Sequence, residues 1–243
     1  MEVQSSKGPA WLVLPTYNEA GNVSSVVAAS LAQLPDDARV LIVDDDSADG
    51  TGQIADRLAT ERPGRVEVLH RKGKRGLGPA YLAGFRRALA AGAGLVLEMD
   101  ADFSHDPADL PRLIEAAERA DLVIGSRYVP GGTVEAWSPS RRLLSRGGSA
   151  YARHVLGLGV RDLTGGFKCF RREVLEAIDL KTVDSKGYAF QVEMTYRAAR
   201  CGFRVVEVPI VFHDRRAGAS KMTAAIAAEA MWRVPWLRYR REP

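Results

Sequence analysis

Several features are scarce in this 243-residue sequence, and each absence narrows the class of protein. The chain has two cysteines, Cys169 and Cys201, and neither stands in a paired or metal-ligand spacing. A disulfide framework is therefore not expected, and a reducing compartment is favoured. The N-terminus lacks a charged-then-apolar signal pattern, and no window reaches the roughly 18 apolar residues of a spanning helix. We expect a cytoplasmic protein, peripheral on the cytoplasmic face of a membrane if it is attached to one.

Charge and histidine content exclude further classes. The four histidines are scattered, without metal spacing and without a neighbouring Ser or Cys nucleophile, so a hydrolase triad is disfavoured. The net charge of +4 is mild, and the basic residues do not alternate with aromatic residues on one face. This argues against nucleic acid as a partner and suits an anionic small ligand or an anionic membrane surface.

Short apolar runs alternate with amphipathic segments through the first half of the chain. The runs at 10–15, 39–44, 65–70, 94–100 and 121–126 are typical of buried strands, and helical spacing lies between them. This alternation predicts an α/β fold with a mostly parallel sheet that is covered by helices on both faces. Ligands of such sheets bind beyond the carboxyl ends of the strands, where this sequence places PTYNE, DDDSADG, DADFSH and GSRY.

After residue 126 the alternation loosens. A loop rich in Gly, Pro and Ser is followed by a basic helix candidate, a mixed region with TGGFKCF, and a helix at 189–201. An apolar strand pair is expected around Pro209, and an Ala-rich helix near the C-terminus. No internal repeat or independent linker is visible, so we expect a single domain with a C-terminal elaboration.

The stretch LVLEMDADFSHDP (95–107) joins an apolar run to two carboxylates, Asp100 and Asp102. On an extended chain, residues two apart point to the same side, so these carboxylates could converge on one Mg²⁺ or Mn²⁺. A solvated acidic loop is the alternative, and the residues alone do not decide. Helix capping explains Asp106, with Pro107 at the first helical position.

Two further polar stretches follow strands. VDDDSADGT fails as a calcium loop, because Ala48 and Ala55 stand at ligand positions. Asp49 is expected to cap the next helix, and Asp44 or Asp45 could accept hydrogen bonds from a ribose or a base edge. HRKGKRGLGPAY is neither a Walker loop nor a Rossmann fingerprint. It is either a solvated basic loop or a glycine-rich wall close to a phosphate or sugar.

The second half of the chain carries two basic clusters. Arg141, Arg142 and Arg146 fall on one face of the basic helix candidate beside a leucine pair. Such a face could hold an anion at a membrane surface, or it could simply be solvated. Arg215 and Lys221 flank a Gly-Ala-Ser stretch that could close over phosphates, an ordinary surface loop being the alternative.

Taken in order, these motifs resemble the dolichol- or polyprenol-phosphate mannose synthases, which are family-2 glycosyltransferases with the GT-A fold. The resemblance covers about residues 10–225 and is carried by PTYNE, VDDDSADGT, GLGPAY, MDADFSHDP, GSRY, WSPSRRLLSRG, DLTGGFKCFRREVL, SKGYAFQVEM and GASK. It implies one GT-A catalytic domain over 1–243, with a nucleotide-sugar-binding half at 10–126, an acceptor-side half at 127–225 and an amphipathic tail at 226–243. The implied reaction is an inverting transfer of mannose from GDP-mannose to a polyprenyl or dolichyl monophosphate, with Mg²⁺ or Mn²⁺.

The resemblance also implies residue roles. The guanosine part of the donor is assigned to Pro15, Tyr17, Glu19, Val43 and Asp45. The metal and diphosphate are assigned to Asp100, Ala101 and Asp102, with Ser104 at a third metal-side position where some members have Gln. Arg127 would contact the donor or acceptor phosphate, and Arg215 and Lys221 match the cations of a closing loop. The acceptor phosphate is assigned to Arg141, Arg142, Ser145 and Arg146. The implied catalytic set is Asp100, Asp102, Arg127 and Lys221.

Some members of this family carry C-terminal membrane helices, which this sequence lacks. We therefore expect an integral-membrane partner protein or an amphipathic surface of the chain's own. Two rival functions stay open: a polyprenyl-phosphate glucosyltransferase that uses UDP-glucose, and a non-catalytic subunit that binds a nucleotide sugar or an anionic lipid.

Overall fold

A computed structural model describes residues 8–73, 76–185, 187–214 and 224–239, with the side chains of 224–231 left out of the description. The strands in chain order are β1 (Ala10–Thr16), β2 (Arg39–Asp44), β3 (Val66–His70), β4 (Leu95–Glu98), β5 (Leu122–Ser126), β6 (Thr133–Val134), β7 (Lys168–Arg171), β8 (Val205–Pro209) and β9 (Val211–Phe212). The helices are α1 (Val23–Gln33), α2 (Thr51–Glu61), α3 (Leu77–Ala90), α4 (Leu110–Ala116), α5 (Pro139–Leu156), α6 (Arg172–Ala177), α7 (Gly187–Arg200) and α8 (Ala224–Tyr239).

The central sheet has seven strands in the order β3-β2-β1-β4-β7-β5-β8. All its neighbours run parallel except β7, which is antiparallel to both β4 and β5. This confirms the predicted α/β fold with a mostly parallel sheet. The two strands expected around Pro209 are present as β8 and β9. They belong to different sheets, because β8 extends the central sheet beside β5 whereas β9 pairs with β6 in a second, two-stranded sheet.

Each face of the sheet carries its own apolar core, as the alternation of side chains along β1 illustrates. Trp11 and Val13 belong to a cluster with α3 and α7, and Leu12 and Leu14 belong to a cluster with α1, α2 and α4. Helix α3 lies very close to β1, since a Cβ at Gly84 would stand 2.3 Å from Cγ1 of Val13. The layers therefore fix α3 firmly over the strands whose ends carry the polar motifs.

The helix starts near those strand ends are set by polar side chains. Asp106 Oδ1 accepts the amide of Ala108 (2.9 Å) and opens a short 3-10 turn at Pro107–Asp109 before α4, as predicted. Asp49 accepts both the amide and the hydroxyl of Thr51, at 3.0 and 2.5 Å. The N-cap of α2 is nevertheless Gly50, with φ 93°, so the prediction that Asp49 occupies that position is wrong by one residue.

The C-terminal helix α8 packs against α5 and α7. Among the described residues, no helix combines the length and the hydropathy that crossing a bilayer would require.

Candidate active site

A cavity of about 390 Å³ opens at the carboxyl edge of β1, β2 and β4. It is lined by seven of the residues assigned to the donor: Pro15, Tyr17, Glu19, Asp45, Asp100, Ala101 and Asp102. The remaining lining residues were not singled out as site residues from the sequence: Thr16, Gly76, Leu77, Ala80, Thr164, Gly166, Gly187, Tyr188 and Gln191. The ends of β1, β2 and β4 thus meet at one place, as expected at the carboxyl edge of a parallel sheet, whereas GSRY at the end of β5 does not line the cavity.

The two acids at the end of β2 have different surroundings. Asp44 is buried and its Oδ1 accepts hydrogen bonds from the hydroxyls of Thr16 (3.1 Å) and Ser47 (2.6 Å). Asp45 lines the cavity, where it accepts from Arg71 Nη1 (2.5 Å) and from the amide of Gly76 (3.1 Å). Of the two, Asp45 is therefore the one placed to meet a ligand.

Two other stretches that were expected to bind the donor differ in their position relative to the cavity. Gly76 and Leu77 line the cavity, which supports the wall interpretation of HRKGKRGLGPAY for its described part. Val43 is fully buried, packs toward Gly84, and does not line the cavity. The structure therefore places Val43 beneath the cavity, in the core that supports its wall.

The carboxylates that follow β4 are held by hydrogen-bond donors from two directions. Asp100 Oδ1 accepts the hydroxyl of Tyr81 on α3 (3.2 Å). Asp102 Oδ1 accepts the amide of Ser104 (3.0 Å), and the intervening Phe103 has a left-handed φ of 60°. Left-handed backbone at a residue other than glycine is uncommon, and here it lets the chain turn back on the carboxylate.

Ser104 itself is 1% exposed and does not line the cavity. Its amide orients Asp102, and its hydroxyl has no hydrogen-bond partner among the described residues. The metal role implied for Ser104 stays a prediction, whereas the orienting role of its backbone is a feature that sequence reasoning missed.

The acids at the cavity fit a hard divalent cation that shares its shell with a ligand. The described residues contain no group of three or more His, Cys, Asp or Glu side chains that could hold a metal alone. Asp100 and Asp102 nevertheless supply carboxylate oxygens in one cavity. Mg²⁺ characteristically binds through one or two carboxylates and completes its shell with phosphate oxygens and water. The donor set therefore fits Mg²⁺ or Mn²⁺ better than a closed structural metal site.

Tyr81 is fully buried beside these acids. Burial, followed by the charges of Asp100 and Glu98, raises the pKa of its hydroxyl well above the ordinary value. The phenol therefore stays protonated and acts as a hydrogen-bond donor to Asp100.

Arg127 is held by an acid rather than presented to the cavity. Its Nε and Nη2 donate to the two carboxylate oxygens of Asp162 (2.7 and 2.6 Å), and Nη2 also donates to Thr164 Oγ1 (2.9 Å). Burial raises the pKa of Asp162, but the charge and hydrogen bonds of Arg127 outweigh it and hold that pKa below its usual value. Arg127 does not line the cavity, whereas Thr164 does, so the phosphate contact implied for Arg127 stays a prediction.

The residues assigned to the acceptor divide into two groups on α5. Ser145 accepts the hydroxyl of Tyr128 (2.7 Å), and the guanidinium of Arg146 lies 5.8 Å from the same ring. Arg141 pairs with Asp214 (3.2 Å) and stacks 4.0 Å from the centre of the Trp137 ring. Arg142 is exposed. Arg215 and Lys221 lie outside the described residues.

Comparison with known proteins places this geometry in a family. The family model described as "Glycosyl transferase family 2" matches residues 11–179. The chain belongs to glycosyl transferase family 2.

Two relatives within the family are similar over most of their length. The polyprenol monophosphomannose synthase of Mycolicibacterium smegmatis is 51% identical over 92% of this chain and 84% of the relative. The undecaprenyl-phosphate mannosyltransferase of Micrococcus luteus is 51% identical over 91% of this chain and 90% of the relative.

Solved structures agree on the fold. The glucosyl-3-phosphoglycerate synthase of Mycobacterium tuberculosis, crystallised with Mn²⁺, UDP and glucosyl-3-phosphoglycerate, has a TM-score of 0.70 at 20% identity. The match covers 99% of this chain and 84% of that one. At this identity the likeness shows the fold alone, and it confirms the predicted GT-A architecture.

Beneath the cavity of this family-2 glycosyltransferase lies a buried polar group that sequence reasoning missed. Lys168 Nζ pairs with Glu98 Oε1 (3.2 Å) across the β4–β7 register and also donates to the side chain of Gln191, which lines the cavity. Burial raises the pKa of Glu98 and lowers that of Lys168, and each partner's charge opposes that shift. The local sequence around Lys168 does not indicate that its partner is Glu98, 70 residues earlier in the chain.

Proposed function

We propose that this protein transfers mannose from GDP-mannose to a polyprenyl monophosphate, giving polyprenyl β-mannosyl phosphate and GDP. The observation that carries the proposal is the 51% identity, over more than nine-tenths of this chain, to two proteins named for mannose transfer to polyprenyl carriers. The cavity geometry supports the same reaction.

The lining residues follow the order of the strands. Asp45 follows β2, Pro15 lies on β1, Asp100 and Asp102 follow β4, and Gly166 precedes the antiparallel β7 at the same edge. A nucleotide sugar laid along this edge would place its nucleoside near β1 and β2 and its diphosphate near β4. The sugar would then lie near Gly166 and the opening toward α5 and α7.

The acidic pair, Asp100 and Asp102, suits the departure of a diphosphate leaving group. A divalent cation held by Asp100 and Asp102 would neutralise charge that builds on the departing diphosphate. The chain's own part is to hold those carboxylates in place, as the amide of Ser104 does for Asp102.

The acceptor needs little activation. A phosphate monoester is ionised at pH 7, so its oxygen attacks the anomeric carbon without a general base. The new bond joins that oxygen to the sugar, the bond from the sugar to the diphosphate breaks, and in-line geometry inverts the anomeric centre. Among the described residues, no histidine lines the cavity, which is compatible with a reaction that needs no general base.

A lipid acceptor requires the enzyme to work at a membrane, and we propose that α5 and α8 provide the contact. Within the described ranges, every exposed large hydrophobic side chain lies on these two helices: Leu143, Leu144, Tyr151, Trp232, Trp236 and Tyr239. Helix α5 has four arginines and no acidic residue. Aromatic and aliphatic side chains beside arginines suit the headgroup region of an anionic bilayer.

Vesicle flotation tests this contact. Protein with Trp232→Glu and Leu143→Glu should lose binding to vesicles that contain phosphatidylglycerol, because Trp232 is 84% and Leu143 75% exposed. Wild-type protein that floats with no vesicle composition but only with an integral-membrane protein would point to the partner instead.

Product extraction tests the reaction itself. Radiolabelled GDP-mannose and UDP-glucose are each incubated with one polyprenyl phosphate, and label in the organic phase is counted, with Asp102→Asn as the matched variant. We expect the Asp102→Asn variant to lose mannose transfer. Faster glucose transfer would favour the glucosyltransferase, and GDP binding without turnover on any acceptor would favour the non-catalytic subunit.

A further inference from the structure

Gly76, Leu77 and Ala80 of the stretch GLGPAY line the cavity, and its last residue, Tyr81, reaches the acidic pair. Tyr81 lies on α3, and its hydroxyl donates to Oδ1 of Asp100 at 3.2 Å. We infer that Tyr81 is a positioning residue that fixes the carboxylate of Asp100 for the divalent cation. This inference rests on the cation site of the proposed function.

The Tyr81 ring is immobilised on both sides. Its centroid lies 5.8 Å from that of Phe85, one helical turn further along α3, and 6.0 Å from that of Phe190 on α7. The Tyr81 and Phe190 rings are nearly parallel, with an interplanar angle of 4°, and the tyrosine side chain is fully buried. A ring packed in this way has one orientation, so its hydroxyl has a fixed position.

The helix that carries the ring is fixed as well. A Cβ at Gly84 would stand 2.3 Å from Val13, and one at Gly78 would stand 3.0 Å from the carbonyl oxygen of Ser185. A Cβ at Gly78 would also stand 3.1 Å from the ring of Phe190, so these glycines let α3 approach both β1 and α7 closely. The distance from the phenol to the end of β4 is set by that approach.

The chemistry follows from what a hydroxyl does to a carboxylate. An ionised carboxylate only accepts hydrogen bonds, so the Tyr81 hydroxyl is the donor, and it restricts rotation of the Asp100 group. Partners that orient metal-binding carboxylates commonly contribute about 10- to 100-fold in metal affinity. Asp102 has an equivalent donor in the Ser104 amide, but only proline would remove a backbone donor, and proline would also change the local backbone. The orienting contact from Tyr81 can therefore be tested by removing a single oxygen atom, that of its hydroxyl.

The test is Tyr81→Phe, which keeps the ring and removes the hydroxyl. Mn²⁺ affinity in the presence of GDP is measured by electron paramagnetic resonance of free Mn²⁺. The dissociation constant should rise about 10-fold or more, while GDP affinity without metal and the melting temperature stay near wild type. Turnover at low Mn²⁺ should fall and should recover when Mn²⁺ is raised, which a merely structural defect would not do.

Controls separate the possible outcomes. Tyr128→Phe removes another tyrosine hydroxyl, one that donates to Ser145, and should leave Mn²⁺ affinity unchanged. In an Asp100→Ala background, Tyr81→Phe should have no additional effect, since the carboxylate that the hydroxyl orients is absent. Mn²⁺ affinity of Tyr81→Phe equal to wild type would overturn the inference, as would wild type that binds no Mn²⁺ with GDP. Wild type that binds Mn²⁺ but transfers no mannose would overturn the proposed function and leave the role of Tyr81 to be decided by the titration.

Discussion

Substitution of Lys168 by methionine should destabilise the protein strongly, because it would strand a buried carboxylate. Lys168 and Glu98 are both 0% exposed, and Nζ lies 3.2 Å from Oε1. The charge of Lys168, with hydrogen bonds from Lys168 and Gln191, opposes the burial that raises the pKa of Glu98. Methionine fills a similar volume, so the loss is mainly one of charge compensation.

The size of the effect follows from that burial. Removing one partner of a buried ion pair costs about 3–5 kcal/mol. For a domain of this size, each kcal/mol shifts the melting temperature by about 2–4 °C, so a fall of about 6–20 °C is expected. Urea denaturation followed by circular dichroism gives the free energy of unfolding, and a thermal melt provides the second measurement.

A double variant, Glu98→Leu with Lys168→Met, separates charge from packing. Apolar replacement of a whole buried ion pair is often neutral or stabilising, so the double variant should be more stable than Lys168→Met alone. Full recovery is not expected, because Gln191 loses the donor to its side-chain oxygen in both variants. A Lys168→Met variant within about 1 kcal/mol of wild type, or a double variant as unstable as the sum of the singles, would refute the reasoning.

Three other outcomes are expected. Chelation by EDTA should stop transfer and added Mg²⁺ or Mn²⁺ should restore it, so full activity in chelator would contradict the cation site. Lys221→Ala should lower turnover more than stability, and an unchanged rate in the product assay would leave that stretch as surface. The folded pKa of Asp162 lies below its unfolded value, so its stabilisation is complete above the unfolded pKa of about 3.9 and lost as pH falls through the folded pKa. Acid unfolding should therefore be steeper for wild type than for Asp162→Asn, and equal slopes would argue against the ion pair with Arg127.

The strand-end motifs could be predicted from the sequence because local patterns determine them. Apolar runs identify strands, and polar residues just beyond them must meet at one sheet edge, which is why Asp45, Asp100 and Asp102 share a cavity. Val43 belongs to the run itself and is buried in a sheet covered on both faces. The antiparallel strand β7 was not predicted, because its pairing with β4 is a long-range contact that a four-residue sequence does not indicate.

Local sequence patterns do not reveal which residue an individual polar atom will bind. On an amphipathic helix, the apolar face explains why Tyr81 is buried, but helical spacing does not show that its hydroxyl meets Asp100. The same holds for Arg127, which the motif GSRY suggests as a phosphate contact and which the fold pairs with Asp162, 35 residues later. Tertiary contacts of this kind are set by packing of the whole domain.

That pairing bears on how a lipid phosphate would be recognised. A guanidinium already neutralised by a carboxylate at 2.6 Å has little net charge to offer an incoming anion. The contacts that the structure shows for Arg127 are with Asp162, with Thr164 in the cavity lining and with the ring of Tyr128. Arg142 is exposed and Arg146 lies over that same ring, on the helix with exposed leucines. Under the membrane contact proposed for α5, we expect Arg142 and Arg146 to supply the positive charge that meets a lipid phosphate. Acceptor binding should then weaken with salt and with loss of either arginine, while donor binding should not.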